Sequence, residues 1–103
     1  MATAFRSVAA LAATWLTSVH TFTTAGTCNI SICNRSSTDA TVRIAIIDGA
    51  LGALANEDWI EYDTQLTPNG IVERTGIVCE AAEQVCVYAS TANISVRVHG
   101  WEE

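Results

Sequence analysis

From residue 15 to residue 101 polar and apolar positions trade places almost every residue, in runs of five to nine broken by turn residues. In Cys28 to Arg35, Cys28, Ile30 and Ile32 fall on one side of an extended chain and Asn29, Ser31 and Cys33 on the other. That is the period of a half-buried strand. Trp15, Thr17, Val19, Thr21 and Thr23 alternate with Leu16, Ser18, His20 and Phe22 in the same way, and Thr41 to Ile47 is a β-branched run ended by Asp48-Gly49. Trp59 to Leu66, Ile71 to Cys79, Val85 to Ala89 and Ile94 to Trp101 continue the series. Between them stand Ser36-Ser37-Thr38-Asp39, Thr67-Pro68-Asn69-Gly70, Glu80 to Glu83 and Thr91-Ala92-Asn93, while residues 48 to 58 make the longest irregular stretch. Pro at the second turn position and Gly where φ must be positive make 67–70 the clearest turn.

About seven to eight short strands at regular spacing, with no amphipathic helix after residue 14, predict an all-β chain. The expected architecture is an antiparallel β-sandwich or jelly roll over residues 14–103. Residues 1–13 are Ala-rich and lack the alternation of the rest, so they are expected as an N-terminal arm or short helix. The stretch Val8 to Ala13 also resembles the apolar segment of a secretory signal, although it is mostly Ala.

Composition narrows the partners. The 103 residues include five Arg, no Lys and eleven acids, a formal net charge of −6. The arginines stand singly, so there is no basic stripe to displace counterions from phosphate, and nucleic acid is not an expected partner. No apolar run reaches the ~18–20 residues of a membrane span, and no membrane partner is expected. Half of the residues are hydrophobic, enough for one small core.

Few residues carry chemistry. His20 and His99 lie inside expected strands, away from any ligand or catalytic spacing, and no phosphate loop, nucleophile elbow or zinc-protease motif is present. Glu61 and Asp63 are two apart on one strand and would share a face, as a carboxylate pair or calcium site requires; a solvated strand face is the plainer reading. Neither a catalytic residue nor a cofactor or metal site is assigned.

Cysteine spacing is more informative. The gaps in Cys28-x4-Cys33 and Cys79-x6-Cys86 do not suit a zinc knuckle. Cys28 and Cys33 point to opposite faces roughly 16 Å apart and cannot bond to each other. A two-bridge scheme is therefore 28–79 with 33–86, or 28–86 with 33–79. Cys28 and Cys79 follow apolar faces and are expected as buried thiols or an intrachain disulfide. Cys33 and Cys86 share faces with polar residues and are the candidates for an interchain disulfide. Asn29, Asn34 and Asn93 begin Asn-x-Ser triplets, which matter only on a eukaryotic secretory route.

Taken in order, Cys28-Asn29-Ile30-Ser31-Ile32-Cys33-Asn34-Arg35, Thr41-Val42-Arg43-Ile44-Ala45, Ile60-Glu61-Tyr62-Asp63, Pro68 to Val78 and the closing Val98-His99-Gly100-Trp101-Glu102-Glu103 resemble a group of small structural proteins of tailed bacteriophage virions. The resemblance covers residues 14 to 103. It implies a non-enzymatic β-sandwich that forms a homo-oligomer, a trimer by preference, with other virion proteins as neighbours at the tail, neck or capsid surface. Virion localisation follows from it. The alternative is a secreted, disulfide-stabilised binding or inhibitor domain.

Overall fold

The structure, a computed structural model, describes residues 2–103. Eight strands follow one another: β1 (Thr3–Leu11), β2 (Thr17–Thr21), β3 (Gly26–Asn34), β4 (Ala40–Asp48), β5 (Trp59–Leu66), β6 (Ile71–Cys79), β7 (Glu83–Ala89) and β8 (Ile94–Glu102). They form two four-stranded sheets, ordered β1-β8-β3-β6 and β2-β7-β4-β5, and every pairing is antiparallel. The all-β antiparallel sandwich expected from the alternation is the architecture observed. Among the described residues the only helical pieces are the single 3₁₀ turns Leu51–Ala53 and Asn56–Asp58 in the irregular stretch.

Residues 3–11 depart from the expected arm or short helix. They pair with β8 along their whole length, from Thr3 opposite Glu102 to Leu11 opposite Ile94. Phe5, Ala9 and Leu11 face the core, while Ala4, Arg6, Val8 and Ala10 face outward. Alanine is a poor strand former, and the alternation is hidden because Ala occupies both faces. Tertiary pairing with β8 decides the conformation.

The core lies between the sheets. Phe22, Ile30, Ile32, Val42, Ile44, Val85, Val87, Ile94 and Val98 are all fully buried there. Burying each aliphatic or aromatic side chain removes it from water for roughly 1.5–3 kcal/mol. A second, smaller cluster sits on the outer side of β4 and β7, where Ala45, Ile47 and Cys86 are covered by Leu16, Leu54 and Trp59. The irregular stretch 48–58 thus contributes Leu54 to the cover of the second sheet.

Asn34, at the end of β3, is the one fully buried polar residue among those described. Its side-chain amide donates to the carbonyls of Thr38 at 2.9 Å, Leu66 at 3.0 Å and Thr67 at 3.2 Å, and its Oδ1 accepts from the Ser36 N–H at 2.9 Å. One side chain thus fastens two turns to the end of the sandwich. Where β3 and β8 pair, Gly26 and Gly100 leave no room for a methyl group: a Cβ at Gly26 would strike the Trp101 carbonyl, and one at Gly100 the Thr27 carbonyl.

Candidate functional site

The four cysteines separate into three environments, and all are free thiols. Cys28 and Cys79 lie on adjacent strands β3 and β6, two register positions apart, and both are buried in the main core. Interaction between the two thiols pushes that of Cys79 up, with burial adding to the effect, and lowers that of Cys28 against the opposing effect of burial. Cys33 is half-buried on the outer face of the first sheet. Cys86 does not match its expectation of a polar, accessible face. It is fully buried in the outer cluster of the second sheet, and burial pushes its thiol up to about 11. The polar neighbours Tyr88 and Ser90 suggested exposure; Ala45 and Ile47 from β4, together with Leu16, Leu54 and Trp59, supply the cover. Cys33 and Cys86 face outward from opposite sheets, so of the two intrachain schemes only the 28–79 bridge has its thiols together.

Glu61 and Asp63 are not a pair. The β4–β5 register slips between Val42 and Ile44, and Asp63 has φ of 54°, which turns the two carboxylates to different sides. Glu61 accepts a hydrogen bond from Thr64 and an ion pair from Arg74 at 2.9 Å, joining edge strand β5 to edge strand β6 of the other sheet. Asp63 takes the Arg43 guanidinium on both oxygens, at 2.6 and 3.2 Å. Arg43 also lies 4.1 Å from the Tyr62 ring centre and 4.9 Å from that of Tyr88. Its charge is satisfied within the chain.

At the other edge of the sandwich His20 joins the two sheets. A slip in register between Ser18 and His20 in β2 aims the ring inward, where it stacks on Phe5 at 3.9 Å between centres and meets Phe22 edge-on. Ser7 Oγ lies 2.8 Å from Nδ1, and Glu102 Oε2 lies 3.1 Å from Nε2. Hydroxyl, imidazole and carboxylate in a row are the parts of a hydrolytic triad. Here the Ser7 side chain points into the sandwich and Phe5 covers the ring, so the row works as a clasp between β1, β2 and β8. Burial alone would raise the Glu102 carboxyl, but hydrogen bonds from the Thr23 and Thr24 N–H groups, the Thr23 hydroxyl and His20 outweigh it and hold it below the usual carboxylate range. No alternation argument could have joined His20 to Glu102, which lie 82 residues apart.

The outer face of the first sheet holds four of the seven exposed large apolar side chains among the described residues; Trp15, Leu51 and Tyr62 lie elsewhere. The registers of this sheet align outward residues in rows across the strands: Ala4, Trp101, Thr27 and Val78; then Arg6, His99 and Asn29; then Val8, Arg97, Ser31 and Glu73; then Ala10, Ser95, Cys33 and Ile71. Val8 is 62% exposed, Ile71 60%, Val78 75% and Trp101 56%, and no segment of the chain covers them. Between β1, β8 and β3 runs a trough of about 460 Å³ lined by Val8, Ala10, Cys33 and Arg97 among others. Among the described residues no group of three or more metal-ligating side chains converges, and no helix is long and apolar enough to cross a membrane.

Comparison with known proteins finds no matching family model, no matching curated protein and no matching solved structure.

Proposed function

We propose that this chain is a non-enzymatic structural subunit of a tailed-bacteriophage virion, which acts by packing against copies of itself and against other virion proteins. The observation that carries the assembly part is the bare outer face of the first sheet, with four large apolar side chains at least half exposed. Val78 and Trp101 stand together at one end of that face and Val8 and Ile71 lie toward the other, on opposite edge strands; large apolar side chains left exposed in this number on one sheet face of a small acidic domain mark an interaction surface. The nine-residue strands β1 and β6 at the two edges of the same sheet add unpaired backbone groups to it. The virion part rests on the sequence resemblance over residues 14 to 103.

Enzymatic work is disfavoured by the placement of Ser7 and His20, whose reactive atoms are turned into the sandwich. Cys28 and Cys79, both buried in the core on neighbouring strands, favour one second reading, a secreted binding domain held by an intrachain bridge. Two measurements separate these. Sedimentation of the purified chain gives its oligomeric state, and mass spectrometry of purified particles shows whether the chain is a stoichiometric component. A chain that is absent from particles and is exported with the 28–79 bridge closed supports the second reading and overturns the first.

A further inference from the structure

We propose that the trough on the outer face of the first sheet receives the Trp101 corner of a second copy of this chain, an inference that rests on the oligomeric reading above and names its contact surfaces. Charge is the first argument. Of the five arginines, Arg43 and Arg74 are neutralised by Asp63 and Glu61. The other three, Arg6, Arg35 and Arg97, are exposed, form no ion pair among the described residues and all belong to this face. Arg97 lies in the trough beside Val8, and Arg35 reaches over its end to donate to Ser95 Oγ. The only acid in the outward rows is Glu73, two strands from Arg97.

Opposite charge sits at the other end of the same face. There Trp101 and Val78 stand side by side across Thr27, and the residues just past the ends of β8 and β6, Glu103 and Glu80, are exposed acids. One end is thus an apolar hollow rimmed by unpaired guanidinium groups, and the other an indole rimmed by carboxylates. On a chain of net charge −6, two copies repel unless they meet through such unlike patches, so electrostatics selects this contact over like-to-like stacking. An aromatic side chain seated in a hollow and ringed by charge pairs is also the usual composition of an energetic centre at an interface.

The test is sedimentation velocity of the full chain in low salt and at about 0.5 M NaCl, where exposed charge pairs are screened. The wild type is expected to associate in low salt and to weaken by about tenfold or more in high salt. Arg35→Glu with Arg97→Glu, and separately Glu80→Arg with Glu103→Arg, are each expected to sediment as 11.0 kDa monomers and to associate again when mixed. Trp101→Ser removes association at either salt concentration. Circular dichroism confirms that each variant is folded, and the two charge variants read the same contact from opposite sides if one of them is not. A wild type that associates, with variants that associate equally well, overturns this contact and leaves the oligomeric reading standing. A wild type that is monomeric throughout overturns both.

Discussion

At the residue scale the fold depends on a few polar groups more than their number suggests. Asn34 satisfies three carbonyls and one N–H with a side chain that has no access to water. Truncating it to Ala removes all of these bonds; the Thr38 carbonyl keeps the Ser36 hydroxyl and the Thr67 carbonyl keeps the Gly70 N–H, while the Leu66 carbonyl loses its side-chain donor in a buried site, so Asn34→Ala is expected to cost about 1–3 kcal/mol, read as a lower urea midpoint with unchanged slope. The same burial makes Asn34 unfit as a glycan acceptor in the folded chain, whatever its triplet suggests. Glu102 carries a pH dependence. Its carboxyl is held below its unfolded value of 4.5, so its contribution is fully present above that pH and is lost as the pH falls through the lower folded value. Melting temperature is therefore expected to fall below about pH 4.5 in the wild type, while Glu102→Gln is less stable at pH 7 and has a flatter acid limb. Equal acid limbs in the two proteins would show that the clasp contributes nothing.

At the scale of elements, β1 and β6 decide how each edge of the first sheet behaves. Removing residues 2–11 takes Phe5 and Leu11 out of the core and exposes the flank of β8. That deletion is expected to destabilise the domain by on the order of 3–5 kcal/mol and to promote aggregation, measured by urea unfolding and light scattering; a detachable arm would leave the midpoint where it was. At the β6 edge, treatment with a thiol-oxidising diazene is expected to join Cys28 and Cys79. The two thiols together lose two hydrogens to the diazene, which becomes the hydrazine. Closing a loop of about 50 residues restricts the unfolded chain by roughly 4 kcal/mol in the entropy model, so the urea midpoint should rise, and Cys79→Ser should abolish the rise. Native labelling with a maleimide is expected to reach Cys33 and to spare Cys86 until the chain unfolds.

Much of this was legible in the sequence, for local reasons. Cys28 to Asn34 alternates as it does because one face of β3 is core and the other is the open face, and Pro68-Asn69-Gly70 carries its turn in its own chemistry. The expectations that missed involve partners distant in the chain. Residues 3–11 are a strand because β8 lies beside them, and Cys86 is buried because Leu16, Leu54 and Trp59 close over it. Glu61 and Asp63 part company because a register slip and one positive φ intervene between them. Period-two reasoning assumes a regular strand; β5 is not one. The open face was legible only as alternation, since the register that gathers Arg6, Arg35 and Arg97 onto one surface comes from pairing among β1, β8 and β3.

For the whole molecule, the sheet orders β1-β8-β3-β6 and β2-β7-β4-β5 make nearly every pairing a long-range one. Such topologies fold slowly, in milliseconds to seconds. Stopped-flow refolding is expected in that range; microsecond folding would contradict the pairing. Slow closure also gives time for the bare edges and the apolar outer face to meet other chains before the fold is complete.

The place of β8 in the first sheet has a consequence for synthesis. Of the eight strands it is the last to be made, yet it lies between β1, the first of the eight, and β3. As the nascent chain leaves the ribosome β3 can find β6, and β4 can find β5 and then β7. β1 waits with no strand to pair with until Ile94–Glu102 emerges. A stalled chain ending before residue 94 would hold β1 unpaired, with Phe5 and Leu11 exposed, and would be a ready substrate for chaperones or proteases. Emergence of Ile94–Glu102 lets β1 pair and covers them.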